Sequence, residues 1–149
     1  MLFEFNKIYK RGDLHDIFGG GRQTGISNCA QYPIIFIFSG KSGQQYGYKD
    51  DWDEDNYFNY TGEGQLGDMT FTKGNLALRD HLHNGKEVHL FESTEVGYCK
   101  YIDQLELVDY KIFLTPDRNG FTRKGIKFRF KSFTQKSRNR RGELRIPKK

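Results

Sequence analysis

Cysteine is scarce in this chain. Cys29 and Cys99 are too few for a disulfide framework, and there is no Cys-x-x-Cys pair to hold zinc or exchange thiols. A cytoplasmic setting is the expectation. Long apolar runs are also missing: the longest, Pro33 to Phe38, is far too short to span a bilayer. The segment Met1-Leu-Phe-Glu-Phe-Asn-Lys7 is short and charged, unlike a secretory leader, so the Asn59-Tyr-Thr61 sequon carries no weight. Catalytic constellations are lacking as well. His81-x-His83 on a helix would point its rings apart, a poor metal pair. His15 and His89 show no partner in the sequence. There is no His-Asn-His nuclease core, and no His-x-Glu with Cys-x-x-Cys as in the zinc deaminases. No catalytic residue, metal, cofactor, small-molecule substrate or membrane is therefore expected.

What is present is sharply uneven charge. The net charge of +5 conceals an acidic body and a basic end. Residues 1 to 122 hold twelve Lys and Arg against eighteen Asp and Glu, whereas residues 123 to 149 hold twelve against the single Glu143. Such a split is the footprint of an arm for a polyanion, with a solvated tail or linker as the plain alternative. Within it lie Arg138, Arg140 and Arg141, and ahead of these an alternating segment with Lys127, Arg129 and Lys131 on one face. These six are the expected phosphate contacts. The division is residues 1–135 as one domain and 136–149 as a basic tail or linker.

Thirteen Phe and nine Tyr in 149 residues give enough bulk for a small β-rich core. Asp13 is placed to cap a short helix through Phe18, ended by Gly19-Gly20-Gly21. Pro33 to Ser39 reads as a strand buried on both faces. Tyr57 to Tyr60 is a short strand. Asn75 to Asn84 has helical spacing, with Asn75 as cap and Gly85 as stop. Glu87–Phe91, Glu95–Tyr101, Gln104–Leu114 and Gly125–Phe133 read as strands, and Pro116 to Gly120 as a turn. Strands outnumber helices and no βαβ rhythm appears. The fold class is α+β: a curved, largely antiparallel sheet or open barrel with a few short helices.

The densest chemistry lies between Tyr48 and Gln65. Tyr48 is followed three positions later by Asp51, and twelve positions later by Tyr60, Thr61 and the glycines Gly62 and Gly64. Two rings and one acceptor suit a flat base carrying an exocyclic amine, since rings stack on base faces and a carboxylate accepts from cytosine N4. Taken singly, the tyrosines are ordinary strand residues and Asp51 is one acid of a solvated loop. A calcium loop fits Asp51-x-Asp53-x-Asp55 at its opening, but Asn56 and Gly62 stand where such a loop needs Gly and Glu.

In order and spacing this stretch resembles the signature of the SRA (SET- and RING-associated, or YDG) domain. Thr24-Gly25-Ile26, Asn75-Leu-Ala-Leu78 and Gly85-Lys86-x-Val88 extend the likeness over residues 23 to 113. Gly20 to Ser27, Gln44 to Tyr48 and Gly62 to Met69 resemble the branch found beside HNH nuclease domains in bacterial modification-dependent (type IV) restriction enzymes. The resemblance implies a PUA-like barrel and a module that flips a modified cytosine, 5-methylcytosine or 5-hydroxymethylcytosine, out of double-stranded DNA. It implies Tyr48 and Tyr60 as stacking rings, Asp51 on the base edge and Thr61 beside it. It further implies a DNA-inserting loop at Arg22, Gln23 and Thr24, and a fused or partner HNH-type nuclease. Two departures stand out: only Glu63 to Gly74 fills the place of the family's long finger loop, and the Tyr-Asp-Gly that names the family is not intact.

The energetics allow a reader without chemistry. Flipping costs a few kcal/mol, two stacking faces return about 1–3 kcal/mol each, and the Asp51–N4 bond adds about 1–3 kcal/mol of discrimination. A buried methyl alone adds only about 0.8 kcal/mol. A PUA-like RNA binder and an enzyme acting on the flipped base are the alternative readings.

Overall fold

The computed structural model describes residues 2–40, 50–135 and 144. The elements run β1 (Ile8–Lys10), α1 (Arg11–Phe18), β2 (Ile26–Asn28), β3 (Ile34–Ser39), β4 (Asp51–Trp52), β5 (Tyr57–Thr61), α2 (Lys73–Arg79), β6 (Glu87–Ser93), β7 (Tyr98–Pro116) and β8 (Thr122–Ser132). They form one sheet in the order β2-β3-β6-β7-β8-β5-β4, with β1 paired to β7. The pairings are antiparallel except β3 with β6, which are parallel. The sheet is thus mixed, and among the described residues it is open, ending on β2 and β4. The parallel pair was not visible as a βαβ rhythm because its crossover contains two further strands as well as α2.

β3 shows how an unbroken apolar run is used. Successive side chains of a strand point to opposite faces. Ile35 and Ile37 enter one core with Trp52, Phe58, Leu90, Ile126, Phe128 and Phe130. Ile34, Phe36 and Phe38 enter a second core with Phe3, Leu14, Phe18, Phe91 and Tyr101. Each fully buried side chain of this size contributes about 1.5–3 kcal/mol, so the strand is fixed from both sides. The two cysteines are buried free thiols, and burial pushes both up to about 11.

β7 is one strand of 19 residues where two were expected. Its first half pairs with β6 and its second half with β8, and the ladders shift register at Leu90/Phe91 and Leu107/Asp109. Such bulges bend and twist a strand, which lets one strand serve both halves of the sheet. In β8, Ile126, Phe128 and Phe130 are buried on one face as the alternation predicts.

Three expectations are corrected. Lys10, not Asp13, occupies the N-cap of α1, and Asp13 lies in its first turn. Thr72, not Asn75, occupies the N-cap of α2. Asn75 is instead buried: its Oδ1 accepts the Glu63 N–H at 2.9 Å, and its Nδ2 donates to the carbonyls of Glu63 and Thr70. The histidines also have partners. His15 Nε2 accepts from Arg11 Nε (3.0 Å), His81 Nε2 accepts from the Leu107 N–H (3.0 Å), and His89 bridges Tyr101 and Glu87. His81 lies beyond the end of α2, so helical spacing does not govern it.

Candidate modified-base pocket and nucleic-acid interface

β4 and β5 form a hairpin whose register pairs Asp51 with Asn59 and Trp52 with Phe58. Its turn is built by Asp53, whose carboxylate accepts from the N–H groups of Asp55 and Tyr57 and from Asn59 Nδ2. These bonds hold Asp53 below the usual carboxylate range against the opposing pull of burial. The acidic run is therefore a turn, with Asn56 in the left-handed region at φ 69°.

Asp51 heads the edge strand β4 and is half-buried, on the face of Asn59 rather than that of Trp52 and Tyr60. Asp50 meets the signature's far end: its Oδ1 accepts the Thr61 N–H at 2.9 Å. Burial pushes the Asp50 carboxyl up to about 7, against the Thr61 bond and Lys127, which act the other way. Thr61 is buried beside it. This acid was missed in the sequence because family spacing singles out Asp51; the period-2 alternation across from Tyr60 was the available signal.

Tyr60 is 4% exposed, and its ring lies in the first core. Its hydroxyl lies 3.1 Å from the Gly25 carbonyl and 3.2 Å from that of Phe38. A side chain at Gly25 would put its Cβ 3.0 Å from that hydroxyl, which explains the glycine. The β4–β5 hairpin and the Arg22–Thr24 loop, far apart in the chain, are thus joined at Gly25. Tyr48 lies outside the described residues, as do Arg138, Arg140 and Arg141.

Within the loop, Gln23 is exposed at the tip, and its side chain has no hydrogen-bond partner among the described residues. Arg22 is tied back to α1, donating to Asp16 Oδ1 and, at 3.3 Å, to the Gly12 carbonyl. Thr24 Oγ1 lies 3.1 Å from Ser27 Oγ and closes the loop on Gly21, where an added Cβ would sit 2.6 Å from that oxygen.

The basic face of β8 is partly neutralised. Arg129 forms a two-point pair with Asp109 on β7 and lies over the Tyr57 ring at 4.5 Å. Lys131 lies 3.9 Å from Glu106. Lys127 has no such acid among the described residues, and its Nζ lies 4.9 Å from the Phe113 ring centre. With Asp53, Asn59, Asp109, Tyr110 and Lys111, Lys127 and Arg129 line a cleft of about 340 Å³.

The segment Gly64 to Asp68 is pinned to the β7–β8 turn. Arg123 donates to the carbonyls of Gly64 (2.9 Å) and Gly67 (2.8 Å), and the Arg118 N–H to that of Gln65 (2.7 Å). Asp68 accepts the Lys124 N–H at 2.7 Å.

An open mixed sheet with two short helices and a glycine-bounded hairpin beside an exposed loop defines a PUA-like domain of the SRA class. The model of the family described as "ScoMcrA-like, SRA domain" matches residues 5–143, and the chain belongs to that family. The fold is shared with solved structures. The sulfur-binding and SRA domains of ScoMcrA complexed with phosphorothioated DNA match at a TM-score of 0.69 and 18% identity, over 89% of this chain and 40% of that one. The type IV phosphorothioation-dependent restriction endonuclease ScoMcrA itself matches at 0.70 and 18%, over 97% and 30%. The SUVH5 SRA domain in complex with hemimethylated CG DNA matches at 0.62 and 21%, over 89% and 90%. The chain thus spans well under half of the two ScoMcrA chains. No curated protein matches. Among the described residues no helix is long and apolar enough to cross a membrane.

Proposed function

We propose that this chain reads modified DNA by flipping a modified cytosine, 5-methylcytosine or 5-hydroxymethylcytosine, into the pocket at the β4–β5 hairpin. Tyr48 stacks on the base, Asp51 accepts from N4, and Thr61, on the Asp51 face of the hairpin, lies at its edge, fixed by its bond to Asp50. The Tyr60 ring, expected as a second stacking face, is buried in the first core, and the part Tyr60 plays is that of its hydroxyl, which reaches the loop. Gln23 enters the space the base leaves. The observation that carries the reading is the contact of the Tyr60 hydroxyl with the Gly25 carbonyl, because it joins the β4–β5 hairpin to the loop that bears Gln23. Membership of the SRA family and its neighbours' complexes with methylated DNA support it.

The reaction is binding alone: ring stacking and one directional hydrogen bond offset the cost of unstacking. In this reading the domain targets a fused or partner HNH-type nuclease to modified DNA in the cytoplasm, and the basic tail supplies phosphate contacts. The test is a titration of one duplex sequence carrying cytosine, 5-methylcytosine, 5-hydroxymethylcytosine or a phosphorothioate linkage. Preference for a modified cytosine that disappears in Asp51→Ala supports the reading; preference for the phosphorothioate alone, or unchanged preference in the variant, overturns it.

A further inference from the structure

We propose that Arg11 is the positioning residue of the inserting loop: its guanidinium holds residues 21 to 24 in the shape that presents Gln23 to DNA. This rests on the reading of that loop as DNA-inserting. The geometry is a single cation clamping both ends of a loop. Arg11 Nη2 donates to the Gly21 carbonyl at 3.0 Å and to the Thr24 carbonyl at 2.6 Å, with Ser27 Oγ 3.4 Å away. The two carbonyls flank Arg22 and Gln23, so the clamp shortens the loop base and leaves the tip outward.

The clamp is itself held. Arg11 Nε donates to His15 Nε2 at 3.0 Å, which leaves the proton of a neutral His15 on Nδ1, where it donates to the Gly19 carbonyl at 2.8 Å. The guanidinium carbon stands 3.7 Å from the Phe38 ring centre, a cation–π contact. Ser27 Oγ donates to the same Gly21 carbonyl at 2.6 Å. On the far side of the loop, the next carbonyl along, that of Gly25, accepts from Tyr60. Successive carbonyls, Thr24 and Gly25, are thus held by Arg11 and by the pocket tyrosine.

Arginine suits this role and lysine does not, because a planar fork satisfies several acceptors in fixed directions while an ammonium is a point charge. A loop ordered before binding does not lose that freedom when it enters DNA. None of these contacts places Arg11 on the base or a phosphate; it acts through Gln23.

Three variants test this: Arg11→Met, Arg11→Lys and Gln23→Ala. Amide hydrogen exchange of the DNA-free protein should show faster exchange at residues 21–26 in Arg11→Met, with the β3 and β6 amides unchanged. In competition binding, Arg11→Met should lose about tenfold on a fully paired modified duplex and little on one with an abasic site opposite the modified base. The loss should vanish in a Gln23→Ala background, and Arg11→Lys should restore only part of it. Unchanged exchange at 21–26, equal loss on both duplexes, or losses that simply add to those of Gln23→Ala would overturn the assignment. If Arg11→Met does not fold, the same criteria apply to Arg11→Lys. If Gln23→Ala itself loses equally on both duplexes, the insertion reading fails, and the exchange measurement alone decides whether Arg11 shapes the loop.

Discussion

The Asp50 carboxylate accepts the Thr61 N–H at 2.9 Å, so the side chain before β4 fixes the last residue of β5. The proposed pocket hairpin is thereby closed by a group that burial drives toward its neutral form, to about 7. An acid whose folded value is raised costs nothing below its ordinary value of 3.8. It costs stability increasingly as pH rises from there, with the full cost above about 7. Asp50→Asn, which retains an acceptor for Thr61, should therefore be more stable than the parent at pH 8 by ~1–3 kcal/mol, less than the full shift because water reaches a half-buried group. The gain should shrink toward pH 4. Thermal melts from pH 4 to 8 check this; a gain that does not depend on pH contradicts it.

The three buried histidines act in the opposite sense. Burial holds His15, His81 and His89 below the usual histidine range, more strongly than their partners raise them. His15 and His81 each use Nε2 to accept from a fixed N–H donor, so a second proton has no place on either ring. Their stability is fully present above the unfolded value near 6.5 and is lost as pH falls below it. The parent should melt earlier at pH 5.5 than at pH 7.5, and Asp50→Asn should lose more across that interval, since the compensating acid has gone. A flat profile in both proteins would show that the rings protonate without cost.

The Tyr60 ring and hydroxyl can be tested separately. Tyr60→Phe keeps the ring and removes the hydroxyl that reaches Gly25 and Phe38. It should cost about 1 kcal/mol of stability and should weaken binding to a fully paired duplex more than to one with an abasic site opposite the modified base. Gly25→Ala should do the same by crowding that hydroxyl at 3.0 Å. Competition binding on the two duplexes checks both; an equal loss on each would show that the hydroxyl does not act through the loop.

Phosphate contacts should divide by pairing state. Lys127→Ala should lower the slope of log affinity against log salt by about one, the release of one counterion. Arg129→Ala should lower it less, because Asp109 already neutralises Arg129. Deleting residues 136–149 should weaken all duplexes alike and flatten the slope further. A slope untouched by that deletion would make the segment a linker.

Much of the fold was legible because alternation is a strong signal: Ile126, Phe128 and Phe130 read correctly as one buried face, and β3 read correctly as doubly buried. The caps were misread because Asp13 and Asn75 are capping residue types, yet local propensity yields to the burial of Asn75 against Glu63 and Thr70. The parallel pairing of β3 with β6 is a long-range contact that local periodicity does not encode. At the candidate site, Tyr60, Thr61 and the Gln23 loop were singled out by their likeness to the SRA signature. Asp50 and Arg11 were not, since their work is to accept from one backbone N–H and to donate to two carbonyls, and backbone partners leave no pattern in side chains. The acids that pair Arg129 and Lys131 lie on β7, visible only once the β7–β8 register is known.

Flipping is the central claim, and the fluorescence of 2-aminopurine placed beside the modified cytosine reports it directly, because loss of stacking raises its emission. Emission should rise when the protein binds the 5-methylcytosine duplex, rise less with Gln23→Ala at equal occupancy, and stay unchanged for unmodified duplex at that protein concentration. Saturating, modification-dependent binding with no change in fluorescence would contradict it, and the modified base would then be read within an intact stack.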